Sequence, residues 1–178
     1  MTASERNRGS RPVPSLRQKA LRALARRDYS RAELARKLGC GASRAAFQTK
    51  SESASAPASA SPAEIEALLD EFEASGWLSD ERFAGAAARQ RQGRYSQRYI
   101  VQDLKSKGVA GDTAKEAVCA LEQDDYATAL ALWQQRFGKP PADQKEKARQ
   151  VRYLLSRGFA LQIVFRILRE QGVRTDDE

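Results

Sequence analysis

One short signature recurs along this chain and limits how it can fold. Leu34-x-x-Lys37, Leu104-x-x-Lys107 and Leu154-x-x-Arg157 each stand where a capped helix runs out, and a glycine (Gly39, Gly108, Gly158) follows at once or one residue later. Between the last two copies the likeness extends at an offset of 50, matching Val101 to Val151, Ala114 to Val164, Ala117 to Ile167 and Val118 to Leu168. A unit of roughly 45 residues can barely bury a core of its own, so neighbouring units must stack. Apolar residues fall at i, i+3, i+4, i+7, as in Ile65, Leu68, Leu69 and Phe72. No segment sustains the period-two alternation of a half-buried strand. The expected fold is all-α: three tandem repeats of three helices each, forming an elongated, curved molecule.

Capping signals set the expected boundaries. Residues 1–14 are polar, contain Pro12 and Pro14, and read as a disordered basic arm. The first repeat spans 15–78. Ser15 opens one helix, the capping box Ser30-x-x-Glu33 opens a second that Gly39 breaks after Leu38, and Ser61-Pro62-Ala63-Glu64 opens the third. Within it, residues 40–61 have almost no large apolar side chain apart from Phe47, as expected of a flexible Ser/Ala-rich insertion in a loop. The second repeat, 79–123, starts at Ser79 with Asp80 and Glu81 in the first turn, has a capped helix from Ser96 to Lys107, and opens its last helix at Thr113-x-x-Glu116. Its first helix presents Phe83, Ala86, Ala87 and Gln90 as a narrow inner stripe. The third repeat, 124–172, begins at Asp124 or Asp125, breaks at Gly138-Lys139-Pro140-Pro141, carries Val151, Leu154 and Leu155 inward, and stops at Gly172. Residues 173–178 are a tail.

The formal charge of +8 is unevenly spread. Residues 1–50 hold 13 Lys/Arg against 3 Asp/Glu, whereas 51–178 hold 18 against 20. A basic front end suits an anionic polymer, because each phosphate neutralised releases counterions. The chain has no histidine, which removes the commonest general base, any Ser-His-Asp triad and most zinc enzymes. Cys40 and Cys119 form no close-spaced pair, and no G-x-x-x-x-G-K-[ST] loop is present. The carboxylates Asp80, Glu81, Asp112, Asp124 and Asp125 cluster at helix starts, where capping explains them better than catalysis. A non-enzyme without cofactor or metal is expected. With no secretory signal and no run of about 20 apolar residues, a cytoplasmic protein without membrane association is expected.

The candidate binding surface is cationic. Arg89, Arg91, Arg94 and Arg98 run without an intervening carboxylate between Arg82 and Asp103. Arg98 and Lys105 are seven apart on the outer face of one helix, Lys107 lies in its last turn, and Arg152 and Arg157 stand at the corresponding helix end of the third repeat. Tyr95 and Tyr99, among these arginines, could stack on bases or pack beneath the helix. Trp77, Trp133, Phe72 and Phe137 read as core.

Four segments, in order, carry a resemblance to a known family. RRDYSRAELARKL (Arg26–Leu38), GWLSDERFA (Gly76–Ala84), GRYSQRYIVQDLKSKGV (Gly93–Val109) and RYLLSRGF (Arg152–Phe159) resemble the RecX family of recombination regulators, over about residues 16 to 171. The resemblance implies a bacterial protein of tandem three-helix, winged-helix-like repeats. It implies binding to the RecA recombinase filament on single-stranded DNA, with suppression of ATP hydrolysis, strand exchange and filament growth. A monomer that touches single-stranded DNA without sequence preference is expected, with duplex DNA as an open second ligand. Short capped helices with basic outer faces also fit a sequence-specific helix-turn-helix DNA-binding protein, and an adaptor without a nucleic-acid role is the third alternative.

Overall fold

The structure, a computed structural model, describes residues 14–46 and 60–172, with the backbone alone over 40–46. Those residues form nine helices and no strand: α1 (Leu16–Leu24), α2 (Arg31–Ala46), α3 (Pro62–Ala74), α4 (Asp80–Arg91), α5 (Gln97–Ser106), α6 (Gly111–Cys119), α7 (Asp125–Arg136), α8 (Gln144–Leu155) and α9 (Leu161–Gly172).

Local chemistry accounts for most helix starts. Ser15 and Ser61 each accept a bond from the backbone three residues on, while Gln18 and Glu64 return one to the cap, completing two capping boxes. Ser79, Ser96 and Asp143 cap α4, α5 and α8 in the same single-bond manner, and Asp124 caps α7. Two expectations are corrected here. Helix α6 starts at Gly111, with Ala110 as a cap lacking any side-chain bond, rather than at Thr113. Helix α2 runs through Gly39 to Ala46. A glycine inside a helix costs only about 1 kcal/mol relative to alanine, and the alanines that follow favour helix strongly. The first seven residues of the expected insertion are therefore helical. The remainder of that insertion, with the N-terminal arm through residue 13 and the tail 173–178, lies outside the described residues.

Each group of three helices closes over its own core. In the first, Leu34, Leu69 and Phe72 are fully or almost fully buried with Ala20, Tyr29, Ile65 and Leu78. In the second, Phe83, Ala84, Ile100, Leu104, Ala114 and Val118 meet. In the third, Trp133, Leu154, Phe159, Val164 and Ile167 do. Burying a side chain such as Phe72 or Leu104 contributes roughly 1.5–3 kcal/mol, the scale on which such thin cores are held. Inner faces differ from the expected stripes in three places. Helix α4 turns Phe83, Ala84, Ala87 and Ala88 inward, and Gln90 is exposed. Trp77 lies 56% exposed at a helix end, tilted against Phe72. Leu155 is 40% exposed.

The chain divides into two compact units: residues up to 29 with 33–78, and residues 30–32 with 79 onward. The second unit thus holds both later helix triads, and polar bonds join them. The Ser96 amide donates to the Arg157 carbonyl (3.0 Å), and the Asp125 carboxylate accepts from the Gln97 amide (2.9 Å). Asp125 is the first residue of α7, yet it satisfies an orphan amide at the start of α5. Gly158, at φ 85°, lies so close that an added Cβ would stand 2.6 Å from Tyr99 Cβ. Only glycine suits both that dihedral and that space. The same arrangement recurs on Ser30–Ala32 in this unit. Ser30 Oγ donates to the Lys107 carbonyl (2.6 Å), Asp80 accepts from the Arg31 amide (2.8 Å), and Gly108 (φ 88°) faces Ala32.

Candidate nucleic-acid interface

The turn from α4 into α5 and the first turn of α5 carry two exposed cations of the second triad. Arg94 and Arg98 are both exposed, and neither makes an ion pair among the described residues. Between them Tyr95 and Tyr99 stack face to face, with ring centroids 4.4 Å apart and planes 13° from parallel. Tyr99 is 37% exposed and Tyr95 half-buried, so the stack lies at the surface beside the two guanidiniums.

The turn is held from outside its own sequence. The buried side chain of Gln123 accepts from the Gly93 amide (2.9 Å) and donates to the Tyr95 carbonyl (2.9 Å) and to Asp125 (3.2 Å). Gln92 donates to the Leu121 carbonyl (3.1 Å), and the Gln97 side chain donates to the Gln123 carbonyl. Four backbone groups of the turn and its neighbour are thereby satisfied. The sequence reading did not find Gln123. Its role depends on a chain segment 30 residues away, and its residue type carries no local signal.

The other predicted cations divide by environment. Arg91 and Lys107 converge on one carboxylate, with Arg91 Nε 2.8 Å and Lys107 Nζ 2.9 Å from Asp103 Oδ2, and all three side chains are about four-fifths buried. Arg91 also donates to the Ala87 carbonyl (3.1 Å). Both differ from the freely exposed cations expected: α5 brings Asp103 between them. Arg89 is exposed on a groove of about 380 Å³ between α4 and α6, beside Glu81, Gly85 and Glu116. Lys105 is exposed, with its stem against Gly111. Arg152 is exposed on α8 and donates to the Ala148 carbonyl (3.3 Å). Arg157 is half-buried at the junction between triads. Its guanidinium sits 3.9 Å from the centroid of the Tyr153 ring, and its Nε is buried without a hydrogen-bond partner. The structure thus groups Arg94 and Arg98 on one turn, and places Arg91, Lys107 and Arg157 in internal arrangements.

Two further clusters are electrostatic. In the first unit Tyr29 lies under two cations, with the Arg27 guanidinium 3.8 Å and the Lys37 ammonium 5.2 Å from its ring centroid. A hydrogen bond with Lys37, assisted by Arg27, holds the phenol below its ordinary value of 10.0. In the third triad the Arg166 guanidinium (2.8 Å) and the Tyr126 hydroxyl both bond to Glu170, and Arg166 foremost holds that carboxyl below its ordinary 4.5. Among the described residues no group of three His, Cys, Asp or Glu side chains is placed to hold a metal ion, and no helix is long and apolar enough to cross a membrane.

Known proteins resemble this chain over nearly all its length. Residues 79–118 match the second three-helix domain of RecX, and residues 122–168 match the third. The regulatory protein RecX of Leptothrix cholodnii is 42% identical over 160 residues, covering 90% of this chain and 91% of that protein. That of Ralstonia nicotianae is 39% identical, covering 92% of each. The crystal structure of RecX from Lactobacillus salivarius superposes with a TM-score of 0.60 over 89% of this chain and 95% of that one, at 17% identity, a likeness of fold. The two matched helical domains fall on α4–α6 and α7–α9, and with relatives this similar over nine-tenths of its length the chain belongs to the RecX family of regulatory proteins.

Proposed function

We propose that this protein regulates homologous recombination by binding the RecA filament on single-stranded DNA and restraining its ATPase, strand exchange and growth. Family membership supports a regulator, and one observation supports the filament as its target. The cationic turn Arg94–Arg98, with its stacked tyrosines, is exposed yet rigidly held by Gln123 and Asp125. Two unpaired guanidiniums beside a π-face suit a backbone-tracking contact with single-stranded nucleic acid. Preorganisation lowers the ordering cost of that contact. In this reading the protein acts in the cytoplasm as a monomer without cofactor, and Arg94, Arg98 and Lys105 contribute most of the phosphate contact. Arg89 and Arg152 extend the surface, while Arg91, Lys107 and Arg157 shape it from within.

The test is a titration into RecA preassembled on single-stranded DNA while ATP hydrolysis is followed. Inhibition well below one molecule per RecA protomer is the expected result. The triple variant R94E, R98E, K105E should inhibit at least about tenfold more weakly, a loss near 1.4 kcal/mol. Full inhibition by a folded triple variant rejects this turn as the contact. Strong preference for one duplex sequence over random duplex, with no effect on the filament, would instead identify a sequence-specific helix-turn-helix reader.

A further inference from the structure

The third triad carries an apolar patch that its fold does not require. Leu155, Leu161 and Phe165 are 40%, 48% and 47% exposed. The 50-residue repeat supplies an internal control. The matched positions in the second triad hold Lys105, Gly111 and Lys115, on the same three-helix scaffold. Lys105 and Gly111 lie together there, with Lys105 Cε 3.2 Å from where a Gly111 Cβ would stand, and Lys115 is four residues on from Gly111 along α6. Three large apolar side chains therefore replace a glycine and two lysines without serving the core beneath, which Leu154, Val164 and Ile167 fill.

The surrounding charge changes in the same comparison. Asp112, Glu116 and Cys119 of the second triad become Gln162, Arg166 and Arg169 in the third, so two negative charges are lost and two positive ones gained. Phe165 opens onto a groove of about 730 Å³ that Pro140, Pro141, Leu168, Lys147 and Arg169 also line. Lys147 and Arg169 make no ion pair among the described residues, whereas Arg166 is engaged by Glu170. Exposed large apolar side chains with a cationic border are the complement of a helix bearing an apolar stripe flanked by carboxylates. Phosphate alone would gain nothing from Leu155, Leu161 and Phe165, and their replacement for lysine and glycine would weaken a nucleic-acid surface.

We propose that the α8–α9 face around Leu155, Leu161 and Phe165 docks an acidic amphipathic helix of a protein partner. Leu161, Phe165 and Arg169 are spaced four apart on α9, so the docked stretch covers about two turns, roughly 12 Å. The proposal uses no residue of the Arg94–Arg98 turn and does not depend on the role given to it.

The probe is a labelled synthetic helix with leucines at i, i+3, i+4 and i+7 flanked by glutamates, read by fluorescence anisotropy. Two controls are a scrambled peptide of the same composition and a version with lysine for glutamate. The full chain should bind the striped acidic peptide at least about tenfold more tightly than either control, a margin of about 1.4 kcal/mol. The double variant Leu155→Lys, Phe165→Lys installs the residues of the second triad. It should lose at least that factor, with its unfolding midpoint unchanged and its affinity for a single-stranded oligonucleotide undiminished. Both substitutions add positive charge, so purely electrostatic attraction would strengthen, and only loss of the apolar patch explains weakening. Undetectable binding, equal binding of the scrambled peptide, or undiminished binding by the double variant overturns the proposal. So does a dimer, seen by sedimentation equilibrium, that the double variant abolishes, since that would give the face to a second copy.

Discussion

Asp103 shows how one side chain can reassign the charges around it. It accepts from Arg91 and Lys107 at 2.8 and 2.9 Å, so those two cations stabilise the second triad and are less free to meet a ligand than Arg94 and Arg98. Changing Asp103 to Asn should cost about 1–3 kcal/mol, because two mostly buried cations lose the charged acceptor they share. It should also raise non-specific affinity for oligonucleotide, and chemical denaturation beside a binding titration reads both. Changing Arg94 and Arg98 to Glu should leave the unfolding midpoint almost unmoved, since neither side chain has an internal partner. Glu170 gives a pH test. Its folded pKa is depressed by Arg166 and Tyr126, so its contribution is present above the unfolded value near 4.5 and lost as pH falls through the lower folded one. The gap in unfolding temperature between the protein and its Glu170→Gln variant should therefore hold at neutral pH and close as pH falls through the depressed folded value. A gap unchanged down to pH 2 would show that the carboxylate does not act through its charge. Exposure of Arg94 was legible from sequence, since it stands in a turn beside Gly93. The pairing of Arg91 was not, because Asp103 lies on another helix.

Between helices, the junction glycines separate local strain from packing. Gly93 has φ 72° and open space where a Cβ would go, whereas Gly158 has φ 85° with Tyr99 Cβ only 2.6 Å away. Gly93→Ala should cost about 1–2 kcal/mol from the left-handed conformation alone. Gly158→Ala should cost about 1–3 kcal/mol more, because the α5 backbone must move. Equal costs in urea unfolding would mean that the two triads are not tightly seated on one another. Most helices were legible from caps and spacing: Ser61, Pro62 and Glu64 mark the start of α3 within three residues. The extension of α2 past Gly39 was not, because a single glycine is too weak a breaker to stop a helix that alanine continues. The inner stripe of α4 was misread for a related reason. Small alanines on every side leave its rotation undetermined until α5 and α6 pack against it.

For the whole molecule, the division into two compact units predicts that residues 79–178, the second unit without its short Ser30–Ala32 segment, fold without the first. That fragment should show helical circular dichroism and one cooperative transition, as the bonds from Ser96, Gln97 and Gln123 join α4–α6 to α7–α9. Two resolved transitions would mean that those bonds do not couple the triads. The basic front end is tested separately. Deleting residues 1–14 removes Arg6, Arg8 and Arg11 and should flatten the salt dependence of single-strand binding by up to ~0.7 per lost phosphate contact. An unchanged slope would leave the arm without a role in binding.

The sequence alone determined most of the helices and their side-chain caps, though not the reach of α2 or the start of α6. Such signals act over three or four residues, and a side chain three positions from a backbone amide can satisfy it whatever lies farther away. The repeat was visible for the same reason, since each unit restates its caps and its Leu-x-x-Lys or Leu-x-x-Arg end. Tertiary structure alone decided which cations are free, that Asp125 and Gln123 serve a turn 28 to 30 residues distant, and that Leu155 faces outward. A helix sets which of its residues share a face, but which face is covered, and by what charge, depends on where its neighbours cross it.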